Sequence, residues 1–383
     1  MRDTLAALRV LVVLPHPPLP EGSAAARCAI GLVRGLLLHG VEVQLLAANL
    51  GSAPLDTIPT DLPVEVVPID VPSNWQARRD RILRPNGLLR QGRFADRLRE
   101  LAESSDLVHF VEAQAAVAMG LVDRPSLVQI HFLTRRDRKL GWPWQRDTRT
   151  TIELLRAERS VCKRARWLLA NSREVASDLA QLAPHAHVVA APLALDPSFY
   201  TPRASVEHPV AGLIGMARWP PTKHAVERLI GDVWPLVLER RPQARLMLAG
   251  KGMEQDAFSH LPKRPGIQWC GEVPSATGFL RELGVLLYPL TDGSGVKVKV
   301  LEALALGIPV VSTPDGAEGL GDRGGVTVET EDWALAMATV RLLDDGAARS
   351  AAADAAYRTF AVHHTPQPAA QPVVDLYERI LAQ

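Results

Sequence analysis

The chain has 383 residues, of which 47% are apolar and 22% charged, and its formal net charge is +1. That is length enough for two domains of ordinary size, each burying its own core, and the near-neutral balance leaves no global attraction for nucleic acid. Three isolated cysteines, Cys28, Cys162 and Cys270, never spaced as Cys-x-x-Cys, point to neither a disulfide framework nor a zinc site and fit a reducing cytoplasm.

Met1 to Leu14 does not read as a secretion signal, because Arg9 interrupts its short apolar run and Pro15-His16-Pro17-Pro18 follows at once. Arg9 to Leu14 is predicted as a strand and Ala24 to His39 as a helix closed by Gly40. Val41 to Ala47, Leu107 to Val111, Ser126 to His131 and Trp167 to Ala170 are predicted as further strands. Pro192 to Pro209 carries four prolines and few apolar pairs, which suits a linker. A second series opens at Val210 to Gly215 and continues with a helix over Ala225 to Arg240, a strand over Arg245 to Leu248 and the turn Ala249-Gly250-Lys251-Gly252. Ala347 to Ala356 reads as a surface helix, and Val373 to Leu381 as a last helix behind a proline-rich stretch. No run of about 18 or more uncharged apolar residues occurs, so no membrane span is predicted. Apolar runs alternating with helical patterns place the chain in the α/β class, with parallel sheets in two domains, residues 1–200 and 210–362, and the functional edge at the strand C-termini.

The most informative stretch begins at Val285-Leu286-Leu287-Tyr288-Pro289-Leu290, an apolar strand. Gly293, Ser294 and Gly295 then turn the chain, Val296 follows, Lys297 to Leu306 is a helix ended by Gly307, and Pro309-Val310-Val311-Ser312 restarts a strand. Backbone N–H groups and the positive end of the helix dipole face any anion at such a loop. Lys297 and Lys299, in or near the first helical turn, oppose that dipole at a cost of a few tenths of a kcal/mol unless an anion is present, so the pattern reads as a diphosphate cradle. Glu302, about one turn on, can point a carboxylate at ribose hydroxyls. Glycine loops precede helices in any α/β protein, so spacing alone does not name the ligand.

Three ordered motifs carry a family resemblance. Gly293-Ser294-Gly295-Val296-Lys297-Val298-Lys299-Val300-Leu301-Glu302-Ala303 through Ser312-Thr313 resembles the donor-binding signature of retaining GT-B glycosyltransferases of family 4. Ser312-Thr313-Pro314-Asp315-Gly316-Ala317-Glu318-Gly319-Leu320 resembles the family's next loop, and Gly212-Leu213-Ile214-Gly215-Met216-Ala217-Arg218-Trp219-Pro220-Pro221 the opening of its nucleotide domain. The resemblance implies two Rossmann-like, doubly wound domains facing an interdomain cleft, with the terminal helix, 373–383, packed back on the first domain. It implies a nucleotide-sugar donor, UDP or GDP in view of Glu302, transferred with retention to a hydroxyl acceptor and without a metal or other cofactor.

Residue by residue, the resemblance implies donor contacts at Gly293, Ser294, Gly295, Val296, Lys297, Glu302, Gly316 and Glu318, with Lys299 among the catalytic cations. Gly250 resembles the loop lining the base, and His131, at the end of its strand, the histidine that contacts the donor sugar or its phosphate; a lone histidine there also serves structure. Gly22 and Ser23 resemble a loop that binds acceptor or phosphates, and Ser23 as an ordinary N-cap explains them nearly as well. Arg218 or Lys223 would neutralise the leaving diphosphate, although their spacing is shorter than the family's. The family's first glutamate is missing, since Ser294 stands eight before Glu302, and Asp292, the Ser294 backbone or Glu318 are the substitutes available.

The acceptor is the least legible part. Arg78, Arg79, Arg81, Arg84, Arg90, Arg93, Arg97 and Arg99, then Arg135, Arg136, Arg138 and Lys139 beside Trp142 and Trp144, make the middle of the first domain basic. Such a run is usually a solvated face. Its functional readings are peripheral docking on the anionic inner face of the membrane, to reach a lipid-linked glycan or other cell-surface polysaccharide precursor, or binding of an anionic soluble acceptor. A soluble natural-product acceptor and a non-catalytic GT-B scaffold remain as alternatives.

Overall fold

A computed structural model describes residues 8–50, 55–69, 87–140, 146–202 and 209–383. By its contacts the chain forms two compact units. One runs to Asp196 and takes back Thr365–Gln383, and the other is Pro197–His364. The first unit closes four residues before the position read from the sequence, and the second extends two beyond it.

The first unit holds β1 (Arg9–Leu14), α1 (Ala24–Leu38), β2 (Glu42–Asn49), β3 (Val64–Pro68), α2 (Gly92–Glu103), β4 (Leu107–Val111) and α3 (Glu112–Ala116). It continues with β5 (Ser126–Ile130), α4 (Thr134–Asp137), α5 (Arg146–Arg164), β6 (Trp167–Ala170), α6 (Arg173–Leu182) and β7 (His187–Ala190). The sheet is parallel with strand order β3-β2-β1-β4-β5-β6-β7. Val10 to Leu14, and Leu107 to Val111 with His109 at its centre, are buried throughout, as strands covered on both faces require. Winding reverses between β1 and β4, whose register pairs Val10 with Leu107 and Val13 with Phe110. This is the topological switch point, where ligands of such sheets bind beyond the strand C-termini.

The second unit holds β8 (Ala211–Ile214), α7 (Pro220–Arg228), α8 (Trp234–Arg240), β9 (Leu246–Ala249), β10 (Ile267–Gly271), α9 (Ala276–Arg281), β11 (Val285–Tyr288) and α10 (Val298–Ala305). It ends with β12 (Val310–Ser312), β13 (Val326–Val328), α11 (Asp332–Asp344) and α12 (Gly346–His363). Its order, β10-β9-β8-β11-β12-β13, puts the switch point between β8 and β11. The helix expected from Ala225 starts earlier, because Pro220 and Pro221 occupy its first positions, where a missing N–H costs nothing. A wide π turn over Leu229–Val233 joins α7 to α8. The alanine-rich helix α12 is not purely superficial: Ala356, Thr359 and Phe360 are buried.

The last helix, α13 (Pro366–Leu381), returns to the first unit and begins seven residues before the expected start. The proline-rich stretch placed ahead of the helix is part of it: Pro366 and Pro368 stand in the first turn, where the N–H groups have no helical acceptor anyway, and Pro372 lies inside the helix. Gly31 and Gly35, one turn apart on α1, explain the fit. A Cβ on Gly31 would lie 2.5 Å from the Ala194 carbonyl oxygen, and one on Gly35 would strike the Pro366 carbonyl and lie 2.5 Å from Ala370 Cβ. Buried Tyr377 of α13 meets His109 of β4 at 2.6 Å between the hydroxyl and Nδ1. Burial holds the His109 imidazole down at about 3, so it is neutral in the folded protein.

Candidate functional site

In the second unit, the chain leaving β8 enters α7 and the chain leaving β11 enters α10, and Lys299 links the two. Its Nζ donates to Thr222 Oγ1 at 3.2 Å and Tyr288 Oη at 3.4 Å, and lies 4.4 Å from the Tyr288 ring centroid. A Cβ on Gly215 would sit 2.5 Å from that nitrogen, so glycine there makes room for the amine. Burial is the main reason the Lys299 amine falls from its ordinary value to about 7; the Lys297 charge adds to the drop and Glu302 opposes it. The amine is thus held by hydroxyls, at the switch point and on the first turn of a helix.

The glycine loop is braced from two sides. Gly293 and Gly295 adopt φ of +114° and +71°, a region open to glycine at little cost. Buried Glu318 accepts the Gly295 N–H at 2.8 Å and lies 3.8 Å from Lys297 Nζ, which itself donates to the Gly295 carbonyl. On the other side His224 of α7 meets Asp292 at 3.0 Å, Nδ1 to Oδ2. Lys297 is the N-cap of α10 and supplies no side-chain cap bond, and the first turn has no acid. Its early N–H groups and two lysines therefore present a positive end.

Glu302 is 1% exposed and accepts a 3.0 Å bond from the hydroxyl of Tyr200, itself buried. Ser312 Oγ donates to the Tyr288 carbonyl at 2.5 Å, and Thr313 Oγ1 to that of Leu290 at 2.6 Å while accepting the Gly316 N–H at 3.2 Å. Gly250, at φ +124°, lies where any Cβ would meet the Gly215 carbonyl, and its N–H donates to Gly271 at 2.7 Å. Arg218 is exposed and makes no ion pair or hydrogen bond among the described residues, whereas Lys223 turns along α7 to Glu227 at 3.8 Å.

In the first unit, Ser23 caps α1 by accepting the Ala26 N–H at 3.2 Å, and the Gly22 carbonyl accepts from Arg27 at 2.6 Å. His131, directly after β5, donates from Nδ1 to Glu112 Oε1 at 2.8 Å, with the two side chains 10% and 6% exposed. Its Nε2 is buried and has no hydrogen-bond partner among the described residues. Asn171 fixes the same turn by donating to the His131 carbonyl at 2.8 Å. Glu112 is the only described non-glycine residue with positive φ, +69°.

Two family models match the chain: Glyco_transf_4, Glycosyltransferase Family 4, over residues 25–199, and Glyco_trans_1_4, Glycosyl transferases group 1, over residues 208–345. This chain is a family 4 glycosyltransferase. Comparison with curated proteins finds no match. Among solved structures, the fold resembles Anabaena HepE in complex with UDP and glucose, at TM-score 0.65 and 16% identity over 96% of this chain and 99% of that one. It resembles S. aureus TarM, in complex with UDP, α-GlcNAc-glycerol and Fondaparinux, at TM-score 0.70 and 7% identity over 98% and 100%. A glycosyltransferase of Rickettsia africae aligns at TM-score 0.62 and 14% identity over 98% and 99%. At these identities the likeness is one of GT-B fold.

In this glycosyltransferase the structure gathers Gly293, Ser294, Gly295, Val296, Lys297 and Lys299 at one helix entrance, and several residues expected at the ligand make contacts within the fold. Glu318, expected at sugar hydroxyls, pins the loop, and the Gly295 N–H, expected at phosphate, is given to it. The Gly316 N–H closes a turn on Thr313, and Gly250 is required by close backbone approach. Ser23 is spent as a cap, Lys223 pairs with Glu227, and Glu302 is engaged by Tyr200. Asp292, offered as a substitute for the missing glutamate, meets His224. Thr222, Tyr288, Tyr200, His224 and Glu112 were missed. Tyr288 and Thr222 hid in a strand and behind two prolines, but an acid immediately after the apolar run Leu107 to Val111 was a visible signal for Glu112.

Four of the seven described arginines of the basic run face acids. Arg97 meets Glu65 and Glu100, Arg99 meets Asp96 at 2.9 Å, Arg135 meets buried Glu158 at 2.7 Å and Arg136 meets Asp178 at 3.2 Å. Arg78, Arg79, Arg81, Arg84, Trp142 and Trp144 lie outside the described residues. Among the described residues no helix is long and apolar enough to cross a membrane, and no three His, Cys, Asp or Glu side chains group to hold a metal ion.

Proposed function

We propose that this glycosyltransferase binds a nucleoside diphosphate sugar at the β8/β11 switch point and transfers the sugar, with retention, to a hydroxyl acceptor. The observation that carries this is the Lys299 amine, half-buried, held by two hydroxyls and depressed to about 7. Burying an amine beside a second lysine is unfavourable in the free protein and becomes favourable when an anion arrives. UDP is the reading we favour, because HepE and TarM are seen with it; Glu302 and Tyr200 would read the ribose side.

In the step itself the bond from the anomeric carbon to the diphosphate oxygen breaks, and negative charge grows on the leaving phosphate. Protonated Lys299, Lys297 and the N-terminus of α10 stabilise that charge, and exposed Arg218 is available to it. The acceptor oxygen bonds to the anomeric carbon on the face the phosphate leaves, and its proton passes to the departing phosphate oxygen. The mechanism needs no carboxylate base. Calorimetric titration with UDP and uridine tests the site: Lys299→Met should weaken UDP by about 10- to 100-fold, the worth of a charge-assisted hydrogen bond, and leave uridine unchanged. Equal affinity of both proteins for UDP would remove Lys299 from the donor site.

A further inference from the structure

In Lys163-Arg164-Ala165-Arg166-Trp167 the chain leaves α5 and enters β6. Ala165 and Trp167 turn inward, and Arg164 and Arg166, alternating with them, are exposed. Arg124, just ahead of β5, joins them, and all three line a cavity of about 390 Å³ at the N-terminal ends of β5 and β6. Met119, Val122, Trp167 and Ile380 of α13 supply its apolar wall. Ligands of such sheets bind beyond the strand C-termini, so this is the opposite edge of the first sheet, and every lining residue belongs to the first unit.

The three guanidiniums have no acid. Among the described residues Arg124 donates to the Glu103 carbonyl at 2.7 Å, Arg166 donates to Gln383 Oε1 at 3.3 Å, and Arg164 makes no hydrogen bond or ion pair. Asp106, close enough to Arg124 for their charges to interact, is committed to Arg9 at 3.1 Å, and exposed Asp123 and Glu378 pair with none of the three. Gly120 leaves room for one of them: its backbone is not at positive φ, yet a Cβ there would strike Arg164 Nη2 and lie 3.2 Å from Cζ. Cations gathered in a concave, apolar-walled site repel one another and concentrate anions.

We propose that this cavity binds a phosphomonoester with an apolar or aromatic body, its phosphate on Arg124, Arg164 and Arg166 and its body against Val122, Trp167 and Ile380. Planar guanidinium forks match phosphate oxygens, and three of them suit the three free oxygens of a phosphomonoester better than the two of a carboxylate. The volume is that of a small-molecule site and leaves inorganic phosphate most of the wall uncovered. Because Ile380 belongs to α13, the bound ligand would also hold the last turn of that helix on the sheet.

Calorimetry on the full-length protein, with phenyl phosphate and inorganic phosphate as probes, tests this. Phenyl phosphate should bind one to one and about tenfold more tightly than inorganic phosphate, the worth of covering one face of the ring. Arg164→Met and Arg166→Met should each weaken it about tenfold, as the loss of a charge-assisted hydrogen bond does, with the melting temperature of the free protein unchanged because both side chains are exposed. Saturating UDP should leave phenyl phosphate affinity as it is, and hydrogen exchange should slow at Tyr377 to Ile380 when phenyl phosphate binds. No binding at millimolar phenyl phosphate, affinity equal to that of inorganic phosphate, or affinity unchanged in both variants would overturn the proposal. Displacement by UDP would overturn it too, by assigning the phosphate to the donor site. A protein that binds phenyl phosphate but no UDP would sink the donor reading and leave this one standing.

Discussion

Lys299 makes the affinity for diphosphate depend on pH in a way that can be worked out in advance. In the free protein its amine titrates at about 7. A diphosphate within hydrogen-bond reach favours the charged form and raises that value, so binding takes up a proton at any pH between the two values. If only the protonated amine holds the diphosphate, the competent fraction is about one half at pH 7, about one tenth at pH 8 and about one hundredth at pH 9. UDP affinity should therefore fall about fivefold from pH 7 to 8 and about tenfold more from pH 8 to 9, a total near 2.3 kcal/mol. The terminal phosphate of UDP, which titrates near pH 6, is already ionised across this range and contributes little slope. Calorimetry in buffers of different ionisation enthalpy reads the proton count directly, and close to one proton should be absorbed per UDP at pH 8.5. Lys299→Met should bind weakly at every pH and absorb none. A wild-type affinity flat from pH 7 to 9, or a slope surviving in Lys299→Met, refutes the reasoning.

Other outcomes follow from the same contacts. At Glu112, alanine keeps the strained φ of +69° and glycine relieves it, while both remove the carboxylate; Glu112→Gly should be the more stable of the two by about 1 kcal/mol in thermal or denaturant unfolding. His109 is neutral in the fold with a value near 3, below the roughly 6.5 of the unfolded chain, so acid protonates the unfolded state first. Stability should accordingly drop by about 2 kcal/mol from this residue between pH 7.5 and 5, and His109→Gln should flatten that part of the melting-temperature profile. Gly35→Ala drives a methyl into the Pro366 backbone and should destabilise the first unit by about 1–3 kcal/mol, seen as early unfolding of α13 by hydrogen exchange.

How much of this was legible depended on whether a residue's role is local. The strands Arg9 to Leu14, Leu107 to Val111 and Trp167 to Ala170 coincide with the observed ones, because short runs dominated by apolar residues are buried best in a sheet covered on both faces. Short edge strands such as β7 and β13 carried too few apolar residues to stand out. Two helices start earlier than Ala225 and Val373, at Pro220 and Pro366, because proline is well suited to a first helical turn. The glycine loop and its lysines were visible as a motif. What the motif could not reveal is who partners whom across distant segments: Gly295 with Glu318, Glu302 with Tyr200, and Lys299 with Thr222 and Tyr288 are contacts over 11 to 102 positions. Glu318 on the Gly295 N–H and Lys223 beside Glu227 belong to the same level, where a carboxylate or an ammonium takes the nearest donor or acceptor that folding provides.

The central claim is that a nucleoside diphosphate occupies the β8/β11 switch point beside Lys299, and a crystal structure of the protein soaked with UDP tests it most directly. The account predicts the β-phosphate within hydrogen-bond distance of Lys299 Nζ, at the N-terminus of α10. UDP density elsewhere, with the Lys299 amine still on Thr222 and Tyr288 alone, would contradict it.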